Sequence, residues 1–408
     1  MSDITPITLP APIDWSSKVS SAEQHINDLK TVFDQNPLNY VNYIEALVEM
    51  ALETRQSNRK AEAEYWMPYL TNPQENTLQA FLLEWMTYTP TTASPGLYIE
   101  RWDYLINTTG GMKLAADAAF IPWFRKFLDF HGDWINSEAS IGTLADWMVY
   151  GGSGAHPFDI NDYERPDPNS VTGGFKSFNQ FFLRNLKGGQ RPMGSSDNPA
   201  KTVYAPCDGG VFFLDKGAST TTSYALPGKS DDFQLTEAIP GYGKLFEGGP
   251  LLDILLWFTD YHHFHAPVSG TIIDQGLYEG SYNYDFGDYS VKDHFAPNLS
   301  ADSDQVGWYN QLGKHQRYVW VIRTEELGLV AMIAIGFWGV GSIINAVQKG
   351  DQIEAGQYMG HFGYGGSSIV LAFEPGKDLH FEVGNKPVAS PNSPVLMKVR
   401  ECLGKSGS

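Results

Sequence analysis

Two glycines followed by two serines, Gly365-Gly366-Ser367-Ser368, lead directly into the apolar run Ile369-Val370-Leu371. Glycine has no Cβ, so the backbone before Ser367 can adopt conformations that let the serine hydroxyl approach the Gly366 carbonyl. Attack there converts the Gly366–Ser367 peptide bond into an ester. Elimination from Ser367 then frees a chain ending at Gly366, and the dehydroalanine left at position 367 hydrolyses, with loss of ammonia, to a pyruvoyl group. Such a ketone is an electrophile for amines, and no ordinary side chain supplies one. Taken alone, the four residues also describe a flexible turn.

A serine that attacks a carbonyl needs a base. Tyr261-His262-His263-Phe264-His265-Ala266-Pro267 packs three histidines into four residues, and Ala205-Pro206-Cys207-Asp208-Gly209-Gly210 sets an acid at a turn between two strand-like runs. A histidine base is served by an acid that fixes its tautomer and stabilises the imidazolium. A metal competes for the same cluster: His263 and His265 would share one strand face, and His361 or His380 could add a third ligand, as in β-rich zinc hydrolases. Leu379-His380-Phe381-Glu382, however, holds a single histidine where such sites use a pair. Pyridoxal phosphate would need a lysine and a phosphate cradle, and no Gly-rich loop enters a helix with a suitable lysine. The reading is therefore a self-made ketone with no metal and no pyridoxal phosphate.

The elements that must position these groups fall into two kinds. Residues 20–150 read as helices: Ser21 is a candidate cap, and Tyr40–Thr54, Leu78–Met86 and Leu114–Phe130 carry apolar residues at helical spacing. Gly, Pro, Asp and Asn dominate 151–174, which reads as a linker. After one short helix, β-type runs separated by Gly and Asp turns follow: Val203–Ala205, Gly210–Leu214, Gly270–Asp274, Tyr318–Arg323, Val330–Ile335, Ser368–Phe373 and Asp378–Val383. The fold class is α+β, with a helical N-terminal domain (1–150) ahead of a mostly antiparallel, β-rich catalytic domain (175–408).

The 408 residues, 42% of them hydrophobic, are enough for substantial cores. A formal charge of −19 argues against nucleic acid and against an anionic membrane surface, both of which require basic patches. Two cysteines, Cys207 and Cys402, make no disulfide framework, and with no signal-peptide pattern in Met1–Ser17 the expected compartment is the cytoplasm. Cys207 reads as a small buried hydrophobe rather than a nucleophile. Leu327–Ile344 carries no charge and reaches the length of a membrane span. Its glycines at 328, 336, 339 and 341 and its β-branched residues predict two buried strands instead, and no membrane insertion.

In order and local context, these segments resemble the phosphatidylserine decarboxylase family of pyruvoyl enzymes over roughly residues 175–390. The resemblance rests on Ser177-Phe178-Asn179-Gln180-Phe181-Phe182-Leu183-Arg184 with Gly189-Gln190-Arg191-Pro192, the Pro-x-Asp-Gly turn at Asp208 and the Tyr-His-x-x-His-x-Pro segment. Val340-Gly341-Ser342-Ile343 and Lys349-Gly350 continue it. The cleavage segment departs from the family's commoner Leu-Gly-Ser-Thr. With the helical extension, Asn107-Thr108-Thr109-Gly110-Gly111 and Trp134-Ile135-Asn136-Ser137, it is similar to a soluble fungal branch that acts on tryptophan.

The resemblance implies roles position by position. Ser367 is the pyruvoyl precursor, Gly366 the new C-terminus, and His265 with Asp208 the dyad that activates Ser367. His262 returns a proton to the substrate carbon, and His263 occupies a variable position with a structural or exposed side chain. The two fragments stay associated. An inactive binding module is the reading from another class, and the presence of Asp208, His265 and Ser367 together speaks against it. The implied substrate is a free, aromatic, tryptophan-like amino acid, with the phosphatidylserine headgroup as the alternative. An aromatic-rich insertion containing Tyr282, Tyr284, Phe286 and Trp308 is the candidate ring-binding segment, or else a lid held by its own aromatics. No basic amphipathic helix of the kind that lies on anionic lipid stands out in the extension.

Overall fold

A computed structural model describes residues 4–53, 60–153, 156–196, 198–226, 231–278, 315–336, 342–364, 367–383, 386–387 and 394–407. The chain forms two compact units, one of Pro10–Met148 with Asp167–Phe181, the other of Met1–Leu9, Val149–Pro166 and Phe182–Ser408. The stretch expected to be a linker is thus divided between them. Its glycines and prolines build fixed turns: the Asp167 N–H donates to Gly173 O at 2.9 Å, and Gly173 and Gly174 take the positive φ angles of 67° and 78° that this loop requires.

The first unit is helical. Thr77 caps the Leu78–Met86 helix by accepting from Ala80 N–H, and Trp85 from that helix packs on Trp102, Phe124 and Phe127 with ring centroids 5.1–6.0 Å apart. The segment expected as one helix over 114–130 is two, Thr109–Ala115 and Phe120–Ile135. Asp117 causes the break, because its carboxylate accepts from Ala119 N–H and Phe120 N–H and so starts the second helix. Ser21 lies inside the Val19–Asn27 helix rather than capping it.

The second unit is antiparallel β. The strands that build the site are, in chain order, β1 (Gly209–Asp215), β2 (Leu251–Leu256), β3 (His263–His265), β4 (Gly270–Tyr278), β5 (Arg317–Arg323) and β6 (Leu329–Ile335). They continue as β7 (Ile343–Asn345), β8 (Gln352–Ile353), β9 (Tyr358–Phe362), β10 (Ser367–Phe373) and β11 (Val395–Met397). One eight-stranded sheet runs β8-β4-β5-β6-β10-β2-β1-β11, and a three-stranded sheet runs β7-β9-β3. Side chains alternate across the large sheet. Trp320, Ile322, Met332, Ile369 and Leu371 pack into one core, and Val319, Val321, Ile333, Val370 and Ala372 into another on the opposite face. Burial on both faces explains why Leu329–Ile335 is uniformly apolar instead of alternating. Among the described residues no helix is long and apolar enough to cross a membrane.

Candidate active site

Ser367 opens β10, an inner strand of the large sheet. It lies opposite Leu256 of β2, and Ser368 lies between Leu255 of β2 and Ile335 of β6. Both serines are fully buried. Gly365 and Gly366, and with them the expected scissile bond, lie outside the described residues. The chain reaches this point from β9, which pairs with β3 so that Tyr358 faces His265 and His361 faces His263. Phe362 N–H donates to His262 O at 2.9 Å and Gly363 N–H to Ser342 O at 2.7 Å. One small sheet therefore ties the histidine segment to the approach to Ser367.

His265 is fully buried, and its backbone N–H is anchored on Pro206 O at 2.7 Å, two residues before Asp208. Its Nδ1 lies 3.0 Å from the carbonyl oxygen of Gly356. A carbonyl only accepts, so Nδ1 carries the proton and Nε2 holds the lone pair. That Nε2 is buried and has no hydrogen-bond partner among the described residues. Burial, followed by the Arg400 charge, depresses the imidazolium to a pKa of about 3 against the opposing pull of the Gly356 bond and Asp208. The ring is a neutral base. Arg400 also donates to Gly356 O, from Nε at 3.0 Å and Nη2 at 2.9 Å, so the carbonyl that orients His265 is itself held in place.

Asp208, also fully buried, is held by other groups. Its carboxylate accepts from Arg191 Nη2 at 3.0 Å, from Lys398 Nζ at 3.2 Å and from the Val399 N–H at 2.9 Å. Burial works to raise this carboxyl, but the charges of Lys398 and Arg191 and the hydrogen bonds outweigh it and hold it below the usual carboxylate range. Asp208 and His265 are joined through the backbone of their turn, and the Asp208 charge acts on the ring through space. The direct carboxylate–imidazole bond of a dyad is not among the contacts of either side chain. Asp260 is pushed up to about 6 by burial and by Asp208, with Lys398 Nζ 3.8 Å from its Oδ1.

His262 is placed differently. Its Nδ1 donates to the Asp260 carbonyl at 3.0 Å, and its ring lies 4.1 Å from that of Phe182. Phe182 in turn meets Phe258 and Tyr364, each with centroids 5.6 Å away, so His262 belongs to an aromatic cluster that includes the residue three before Ser367. His263 is fully buried, stacked 4.3 Å from Tyr261, with Nε2 3.1 Å from Leu183 O. Of the two roles expected for His263, the structural one matches its burial. Arg184 of the Phe-Phe-x-Arg segment donates to the Asp260 carbonyl at 3.2 Å beneath the Tyr163 ring, bracing the turn that orients His262.

Tyr282, Tyr284, Phe286 and Trp308 lie outside the described residues. Among the described residues no group of three His, Cys, Asp or Glu side chains is disposed to hold a metal, and His380 is exposed beside Asp378. Gly356, Lys398 and Arg400 have no role in the sequence reading, and Arg191 entered it only as part of a recognised segment. Lys398 and Arg400 sit far from Asp208 in sequence, and Gly356 acts through a backbone atom that leaves no side-chain signature.

The family model described as phosphatidylserine decarboxylase matches residues 178–392. Phosphatidylserine decarboxylase proenzyme 3 of Schizosaccharomyces pombe is 32% identical over 221 residues, covering 53% of this chain and 20% of that protein. Decarboxylase iboD of Amanita muscaria is 26% identical over 294 residues, covering 67% of this chain and 82% of that protein. L-tryptophan decarboxylase of Psilocybe cubensis is 24% identical over 288 residues, covering 69% and 63% respectively. The chain therefore spans most of the length of one of these relatives and only a fifth of another.

Proposed function

The chain belongs to the phosphatidylserine decarboxylase family, and from that premise we propose that it is a pyruvoyl-dependent carboxy-lyase that cleaves itself between Gly366 and Ser367 and decarboxylates a free aromatic amino acid. The observation that carries the proposal is the state of His265: a buried imidazole with its Nδ1 proton committed to Gly356 and an Nε2 lone pair that no group among the described residues engages. That is the form a base must have to accept the Ser367 hydroxyl proton as the oxygen attacks the Gly366 carbonyl.

A pyruvoyl group at position 367 fits the residues present, since Ser367 starts a buried strand directly after two glycines and the buried base is neutral. Once formed, it supplies a carbonyl that captures the substrate amine and accepts the electron pair released with carbon dioxide. The surrounding side chains do the rest. Asp208 favours the transient imidazolium of His265 by its charge, and Arg191 and Lys398 keep it ionised. His262, oriented by the Asp260 carbonyl, is assigned the return of a proton to the substrate carbon. Phe182, Phe258 and Tyr364 keep its surroundings apolar.

Support for a free amino acid comes from the match to L-tryptophan decarboxylase, which extends over about two thirds of this chain. The acidic surface favours it too. The match to phosphatidylserine decarboxylase proenzyme 3, the highest in identity of the three, favours the lipid headgroup as the second reading. Two measurements test the proposal together: the mass of the denatured chains, expected as residues 1–366 and a pyruvoyl-blocked 367–408, and carbon dioxide release from amino acids and from phosphatidylserine vesicles. An active protein consisting of one intact chain would falsify it.

A further inference from the structure

Among the described residues, three that are not glycine take a positive φ: Arg191 at 53°, Asp378 at 46° and Arg400 at 71°. The left-handed region is unfavourable for a residue with a Cβ, and such strain persists where the surroundings over-determine it, commonly at functional sites. Asp378 is exposed. The two arginines are not: Arg191 grips the Asp208 carboxylate, and Arg400, 6% exposed, grips the Gly356 carbonyl, so the strained side chains hold the two supports of His265.

Arg400 is locked into its conformation from both sides. Its N–H donates to Ala205 O and its carbonyl accepts from Gly194 N–H, each at 2.8 Å. Around it, Lys398 and Glu401 close a turn on each other, Lys398 N–H donating to Glu401 Oε2 at 2.9 Å and Glu401 N–H to Lys398 O at 3.1 Å. Two Arg400 nitrogens therefore converge on the one carbonyl oxygen that His265 Nδ1 also uses. Gly356 is tied to the histidine strand on its other side as well, since its N–H donates to Ala266 O at 2.8 Å, one residue after His265.

The charge of Arg400 matters as much as its reach. A carboxylate in place of the Gly356 carbonyl would orient the ring and also draw it into its charged form. Arg400 does the reverse. The groups facing His265 are Asp208, Arg400, His263 and the rings of Tyr261 and Tyr358, and the Arg400 charge opposes the imidazolium by more than Asp208 favours it. Burial pushes both phenols up, so neither adds an anion. The ring is oriented without being protonated.

We propose that Arg400 is the positioning residue of the self-cleavage base: through the Gly356 carbonyl it fixes His265 as the Nδ1–H tautomer and keeps the Nε2 lone pair ready for the Ser367 proton. The assignment rests on His265 being that base.

Two readouts test it, and one needs no catalysis. In the uncleaved Ser367→Ala chain, ¹⁵N-labelled at histidine, the ring nitrogens of His265 should report the Nδ1–H tautomer with a slowly exchanging proton. Arg400→Met on that background should mix the two tautomers and speed the exchange. With Ser367 present, Arg400→Met should slow the appearance of fragments by about 10- to 10²-fold, the scale of a small misplacement of a reacting group. Arg400→Lys keeps the charge but offers one ammonium where the guanidinium directs two donors, so it should also cleave severalfold more slowly, and it carries the test if the Met variant does not fold. Normal cleavage in the folded variants, or slow cleavage with the His265 tautomer and exchange unchanged, overturns the proposal. A wild-type chain that never cleaves removes the self-cleavage premise instead, and the ring signals of the uncleaved chain still decide whether Arg400 sets the tautomer.

Discussion

His265 donates a hydrogen bond from its Nδ1 to the backbone carbonyl of Gly356, 3.0 Å away. In a serine–histidine–carboxylate constellation that proton faces the acid, which both orients the ring and stabilises its charge. Here the two tasks are separated. Gly356 orients His265, and Asp208, gripped by Arg191 and Lys398, contributes its charge from a distance.

Gly356 should therefore be sensitive in a way no side-chain inventory shows. Its φ is +78°, and an added Cβ would lie 2.3 Å from Met193 Sδ. Gly356→Ala is expected to shift the carbonyl and slow self-cleavage, and Met193→Ala beside it should recover part of the rate. The time course of fragment appearance after synthesis measures both. Unchanged cleavage in the single variant would remove Gly356 from the positioning scheme.

Ser367→Ala lacks the attacking hydroxyl, so the chain should stay whole, folded and inactive. His265→Ala should also stay whole for lack of a base. Asp208→Asn differs from both. It strips a buried anion from Arg191 and Lys398, and breaking such a pair costs about 3–5 kcal/mol, so slower cleavage should come with a clear loss of melting temperature. Cleavage at the normal rate in a correctly folded Asp208→Asn protein would reduce Asp208 to a structural ion.

How far the sequence could be read depends on which atoms do the work. Ser367–Phe373 was visible because a strand buried on both faces is a continuous apolar run. Leu251–Leu256 was missed, its run broken by the buried Asp253, and β3 is only three residues long, too short for an alternation to register. The break at Asp117 was invisible because apolar spacing persists on both sides of it. At the site, Ser367, His262, His265 and Asp208 carry side chains with obvious chemistry. Their supports do not: Lys398 lies 190 residues from the carboxylate it neutralises, and Gly356 works through its main chain.

Acid should destabilise the β-rich unit. The folded-state pKa of His265 is about 3, below the 6.5 or so of an unfolded histidine. Between those values the unfolded chain binds a proton that the folded chain does not, so stability rises with pH across this window and is lost on acidification. At pH 5 the cost is roughly 2 kcal/mol, and His263, also driven well below its usual range by burial, adds to it. Asp260 works the other way: raised to about 6, it holds its proton in the folded state and returns about 1 kcal/mol between pH 6 and pH 5. The histidines win. Melting of the uncleaved Ser367→Ala protein should fall between pH 7 and pH 5, and His265→Leu on that background should flatten the slope.

His262 should separate processing from turnover. It belongs to the aromatic cluster of Phe182 and Tyr364, and its Nδ1 is turned to Asp260 rather than to the Gly356 turn. His262→Ala is expected to cleave and yet lose about 10²–10⁴ in decarboxylation rate, the usual contribution of a general acid. Full-speed turnover, or an uncleaved chain, contradicts the assignment.

The substrate decides between the two readings of the family match. If a free aromatic amino acid is bound, tryptophan, phenylalanine or tyrosine should give the matching amine and carbon dioxide without detergent. Hydroxylamine, or borohydride with substrate present, should inactivate the protein through its ketone, and added pyridoxal phosphate should change nothing. Within the aromatic-rich insertion, Tyr282→Ala or Trp308→Ala should raise KM for an aromatic substrate more than for a small one, because lost ring contacts are mostly ground-state binding energy. Turnover of phosphatidylserine in vesicles, with none of the aromatic amino acids consumed, would place the chain with the lipid-acting members of the family. The strongly acidic surface would then have to be reconciled with work at an anionic membrane.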